Sequence, residues 1–78
     1  MARLSPKPRR EVERLLRHFG FVFVRHGKED VWGRASDGRT VIVPRHRAGS
    51  EQIPVGTLKS ILFQAGISRE EAIRFWKG

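Results

Sequence analysis

Apolar positions fall along this chain in two periods, and the switches between them mark its elements. Val12, Leu15, Leu16 and Phe19 recur at the spacing of one helical stripe, and Gly20 stops that helix. Ser5 before Pro6 reads as an N-cap followed by the first helical position. Pro8 is tolerated there because first-turn N–H groups have no helical acceptor. From Phe21 to His26 the chain turns β-branched and aromatic, as strands do. Gly27-Lys28 suits a two-residue hairpin turn with glycine first, and residues 29–34 return as a second strand. Ser36-Asp37-Gly38 is the next turn, residues 39–43 the third strand, and Pro44 ends it for want of an N–H. After a polar loop, Pro54 opens a helix whose Val55, Leu58, Ile61, Leu62 and Ala65 share a stripe, with Gly66 as its C′ residue. Ser68 and Glu71 then form a capping box, and Ala72, Ile73 and Trp76 give a short last helix its apolar side.

The order α-β-β-β-α-α predicts an α+β fold, one domain over residues 1–78, with a three-stranded antiparallel sheet packed by helices. A two-residue turn at Gly27-Lys28 pairs His26 with Glu29, Arg25 with Asp30, Val24 with Val31 and Phe23 with Trp32. Both faces of that sheet are apolar in part, so periodicity leaves open which one the helices cover. With 78 residues and no cysteine the core is small, and oligomerisation or a bound partner is expected to add stability. No apolar run approaches the roughly 18–20 residues that span a bilayer. The basic stretch from Met1 to Arg10 lacks the apolar centre of a signal peptide, so a soluble cytoplasmic protein is expected.

Charge sharpens this picture. Sixteen Lys and Arg against 8 Asp and Glu leave a formal charge of +8, which favours a polyanionic partner. Arginine predominates, and guanidinium groups suit bidentate phosphate contact and stacking on bases. A solubilising basic surface would have the same composition. Proton-transfer chemistry on a bound phosphate ester without a metal would need a base, an acid and cations on the phosphate. Histidine suits both proton roles, and the chain has 3. His18 ends the first helix and reads as structural. His46 lies between Arg45 and Arg47, a cluster that suits a phosphate or merely shapes its loop. His26, paired with Glu29 across the hairpin, is a candidate dyad, with Glu29 fixing the tautomer; an ordinary polar pair at a hairpin end is the plainer reading. Arg25 and Arg34 interleave with Phe23 and Trp32 as a base-stacking surface, unless those rings are core. Lys28 in the turn and Lys59, one turn after Gly56, complete the candidate RNA-binding set. No carboxylate–histidine group has metal-ligand spacing, so neither metal nor cofactor is expected.

The run Val43-Pro44-Arg45-His46, then Ile53-Pro54-Val55-Gly56-Thr57-Leu58 through Gly66-Ile67, resembles the HicA (YcfA-like) toxin family. The resemblance implies a fold similar to a double-stranded-RNA-binding domain. It also implies mRNA cleavage as a toxin of a type II system and neutralisation by a HicB-type antitoxin. It places Gly27-Lys28-Glu29 where such toxins carry Gly-Ser-His, so Glu29 stands at the usual catalytic histidine. The chain therefore departs from the family at the residue that matters most. The alternatives are a catalytically inactive RNA-binding relative and a basic protein-interaction domain.

Overall fold

Two prolines decide where the first helix begins. A residue before proline is pushed towards extended backbone, which holds Ser5 and Lys7 out of the helix. Lys7–Pro8 (β1) instead pairs antiparallel with Gln52–Ile53 (β5), a small two-stranded sheet that the periodicity does not announce. The helix α1 runs Arg9–His18 with Pro8 at its N-cap, so the expected start at Ser5 and Pro6 is corrected by one turn. The structure, a computed structural model, describes residues 3–44 and 52–77.

The main sheet is a meander of Val22–Arg25 (β2), Glu29–Arg34 (β3) and Arg39–Pro44 (β4), in the order β2-β3-β4. Helix α2, Val55–Ala65, follows Pro54 and ends at Gly66, whose φ of 71° is left-handed. A side chain at Gly66 would also drive its Cβ to 2.8 Å from Arg39 Cζ. Helix α3, Arg69–Lys77, begins with the expected capping box: Ser68 N–H donates to Glu71 Oε1 at 2.8 Å, and Glu71 N–H to Ser68 Oγ at 3.0 Å. The α+β class and the three-stranded antiparallel sheet packed by helices are as the pattern predicts.

The helices cover the face that carries Trp32, Val41 and Val43, which pack with Val12, Leu15, Leu16, Leu58 and Ile61 into one core. Trp32 lies opposite Val41, and Asp30 opposite Val43, so Asp30 points into this covered side as the buried charge among the described residues. The other face, with Val31 and Ile42, stays half-buried. Strand β2 is exposed throughout, including Val22, Phe23 and Val24. At the opposite edge the Ile42 N–H donates to Gln64 Oε1 at 3.0 Å, so α2 closes the β4 edge that β2 leaves open on its own side. No described helix is long and apolar enough to cross a membrane.

Candidate functional site

The β2–β3 hairpin does not keep the register that a two-residue turn would impose. Phe23 faces Trp32 as expected, but Arg25 then faces Val31, with an irregularity between Phe23 and Arg25. One extra residue sits on β2, as in a β-bulge. Gly33 makes room for it: a Cβ there would lie 3.2 Å from Val24 Cγ2. Gly27 is not among the glycines with positive φ, so the glycine-first turn expected at Gly27-Lys28 does not form. The pairs Val24–Val31, Arg25–Asp30 and His26–Glu29 are corrected accordingly.

The shifted register brings His26 to Asp30. His26 Nδ1 lies 2.9 Å from Asp30 Oδ1, with the imidazole side chain 59% exposed and the carboxylate side chain 7% exposed. The other carboxylate oxygen accepts from Arg9 Nη2. Arg9 also donates from Nη1 to the Pro44 carbonyl at 3.0 Å, and its Nε meets Glu13 Oε2 at 3.3 Å. As the first residue of α1, Arg9 thus ties the helix start to β3 and to the end of β4. A buried carboxylate without a cation beside it would be costly, and Arg9 offsets that cost. Phe23 stands edge-on to the His26 ring at 5.3 Å between centroids, with Trp32 at 5.6 Å on from it.

The chemistry of this arrangement follows from donor and acceptor counts. An ionised carboxylate accepts only, so the His26 Nδ1 facing it carries the hydrogen. A neutral imidazole then has its acceptor lone pair on Nε2. An exposed imidazole of fixed tautomer, held by a carboxylate that is itself held by arginine, is equipped to take a proton from a bound ligand.

The remaining candidates divide by how their side chains are engaged. Glu29 is exposed and sits opposite Pro44, while Asp30 takes the place at the imidazole that was expected of it. Arg25 and Lys28 are exposed at the same hairpin end. Arg34 is fastened elsewhere: Nε and Nη2 donate to Asp37 at 3.1 and 2.8 Å, Nη1 donates to the Phe19 carbonyl at 2.6 Å, and the guanidinium lies over the Phe21 ring. The hydrogen bond with Asp37 raises the Arg34 pKa, and the same bond is the chief cause that holds the Asp37 carboxyl down at about 2. Arg34 therefore sits at the opposite end of β3 from His26, as a brace for the β3–β4 turn. Trp32 is core, under the Arg17 guanidinium, whereas Phe23 is the exposed ring beside His26. Lys59 is exposed on α2, and His18 packs against Phe19 and Phe75. Arg45, His46 and Arg47 lie outside the described residues.

Asp30 and Arg9 are the residues that sequence reasoning missed. Gly33 was the available signal, since an isolated glycine inside a strand points to a bulge or a close approach, and a bulge moves every later pair by one. Arg9 had no local signal, because it meets Asp30 from 21 residues away.

A family model described as the HicA toxin of bacterial toxin-antitoxin systems matches residues 9–67, from the start of α1 to just past α2. No curated protein matches the chain.

Proposed function

The chain belongs to the HicA toxin family, and on that premise we propose that it binds RNA and cuts it without a metal, with His26 as the proton-transfer group. The observation that carries this reading is the contact of His26 Nδ1 with Asp30 Oδ1, backed by Arg9 on the far carboxylate oxygen. His26 Nε2 takes the proton of a ribose 2′-hydroxyl as its oxygen attacks the adjacent phosphorus. The bond from phosphorus to the 5′-oxygen breaks, and that oxygen takes up a proton, leaving a cyclic phosphate and a 5′-hydroxyl. Asp30 orients the imidazole and stabilises the imidazolium that forms. Arg25 and Lys28, exposed beside His26, supply positive charge for the phosphate. Phe23, edge-on to the imidazole and partly exposed, offers an apolar surface to a neighbouring base. The excess of 16 cationic over 8 acidic side chains supports a polyanionic substrate.

As members of toxin–antitoxin pairs, such chains act with a partner. For this chain we propose a HicB-type antitoxin that blocks the site in the cytoplasm. Co-expression with the neighbouring gene is expected to yield a stable complex and restore growth; no complex and no change in growth would remove this part of the reading.

A second reading rests on Glu29, which stands where the family's Gly-Ser-His motif has its histidine and which lies opposite Pro44, while Asp30 meets His26. In that reading the protein binds RNA without cutting it. Cleavage assays on purified protein separate the two. Cutting by the wild type that is lost in His26→Ala, with RNA affinity kept, supports the dyad. A wild type that does not cut, beside a Glu29→His variant that does, supports the inactive relative. RNA binding should fall steeply with salt, and charge reversal at Arg45 and Arg47 should weaken it alike for all sequences. Indifference to both would leave the protein-interaction alternative.

A further inference from the structure

The parts of the chain beyond the matched stretch come together. The segment before α1 and the helix α3 border an open hollow of about 240 Å³, lined by Arg3, Lys7 and Lys77 with Leu4, Ile73 and Trp76. A second hollow, of about 330 Å³, is lined by Arg3, Lys59 and Arg69 with Leu4 and Val55. The two share Arg3 and Leu4, so they adjoin along the N-terminal segment. Among the described residues, five cationic side chains line the pair and no acidic one does; Glu70, 3.9 Å from Arg69, is an acidic neighbour outside the lining.

This surface is built rather than incidental. Trp76 Nε1 donates to the Glu11 carbonyl at 3.2 Å, which fixes the indole against α1. Lys7 Nζ stands over that ring, 5.3 Å from its centroid. Pairing of Lys7 with Ile53 fixes the segment from its other side. The same segment leads into Arg9, which clamps Asp30 at the His26 site.

We propose that these adjoining hollows form a second phosphate-binding surface, which holds the backbone of the RNA strand away from the His26 site. The proposal rests on the RNA reading above, and it adds a site made mainly by residues outside the family match, namely Arg3, Lys7, Arg69 and Lys77. Clustered cations without acids repel one another, and an extended polyanion relieves that repulsion while releasing its own counterions. The apolar floor of Leu4 and Ile73 beside a fixed indole suits a strand whose sugars and bases travel with the phosphates. An acidic protein segment is the competing occupant, and binding of an oligoglutamate in place of RNA would reveal it.

The chain has 2 tryptophans, and one lies in each environment: Trp76 in the hollow and Trp32 in the core. Their indole N–H signals give an NMR test with the full chain, using a 2′-O-methyl oligouridylate of about twelve nucleotides that cannot be cut. The expected result is a shift of the Trp76 signal with Trp32 unmoved, together with shifts at Lys28 in the hairpin. The triple variant Arg3→Glu, Arg69→Glu, Lys77→Glu should bind roughly tenfold more weakly at low salt and with a flatter salt dependence. An unchanged Trp32 signal in that variant shows that the fold is intact. Hairpin shifts with Trp76 unmoved in the wild type overturn the second surface and leave the RNA reading standing. Absence of any shift at low salt removes both. A Trp76 shift with oligoglutamate but not with the oligouridylate assigns the hollows to an acidic protein and overturns the proposal.

Discussion

The two ends of strand β3 each carry an arginine–aspartate pair, and they could hardly differ more. At one end Asp30 is buried, reaches Arg9 across 21 residues of sequence and turns its second oxygen to an exposed imidazole. At the other, Asp37 is exposed and bonds Arg34 three residues away, with Arg39 also within 3.2 Å. The local pair finishes its business inside a turn: every charge is answered by a neighbour. The long-range pair joins α1, β3 and β4, and its carboxylate faces a histidine that stands open to solvent. Burial and span, not the pairing of residue types, separate a positioning device from a turn brace.

The largest expected effect comes from neutralising the buried carboxylate. Asp30→Asn leaves Arg9 without its counter-charge and His26 without its acceptor, and should cost about 3 kcal/mol of stability. Loss of any cleavage activity should follow, and both are read by thermal melting and an RNA cleavage assay. A melting temperature equal to that of the wild type would show that Asp30 is no clamp. His26→Ala comes next. It should lower cleavage by roughly 10²–10⁴-fold, the usual worth of a positioned proton-transfer group. Its melting temperature should stay near that of the wild type, because the ring is mostly exposed. A His26→Ala protein that cuts normally would shift attention to His46.

At the other end of β3, Asp37→Asn should lower the melting temperature less than Asp30→Asn and leave RNA cleavage untouched. Equal losses from the two variants would erase the distinction drawn here. The smallest effect is in acid. The Asp37 carboxyl is held at about 2, below its ordinary value of 3.8, so the folded state binds that proton less readily than the unfolded chain. Its stabilising contribution is complete above about pH 4 and is lost as pH falls towards 2. Asp37→Asn should therefore flatten the dependence of melting temperature on pH in that window alone. An unchanged slope would mean that the Arg34 bond does not persist in solution.

Much of this was legible beforehand. The stripes of α1 and α2, the αL stop at Gly66 and the capping box of α3 depend on residues within a turn or two of one another. Local spacing and backbone sterics suffice for those, and the structure keeps them. The three strands and their order followed in the same way from composition and turn residues. What misled was also local in form. Ser5-Pro6 has the chemistry of a helix start, yet the next two residues pair with Gln52–Ile53, and that partner lies far along the chain. Gly27-Lys28 has the chemistry of a tight turn, yet Val24 leans over Gly33 and displaces the register by one residue.

The sequence by itself therefore determined the three helices and the three-stranded sheet, the fold class, the excess of basic side chains and the histidines available for proton transfer, because each depends on residue type and near-neighbour spacing. Tertiary structure decided which carboxylate meets His26, which face of the sheet is covered, and which arginines are tied down and which stand exposed. Those outcomes turn on strand register and on contacts between elements, which residue type and spacing alone do not set. A single residue of register exchanged Glu29 for Asp30 at the imidazole, and the two residues lie on opposite sides of the strand. No local pattern holds the energy of a clamp such as Arg9 on Asp30, which exists once the helix start and the hairpin end have been packed against each other.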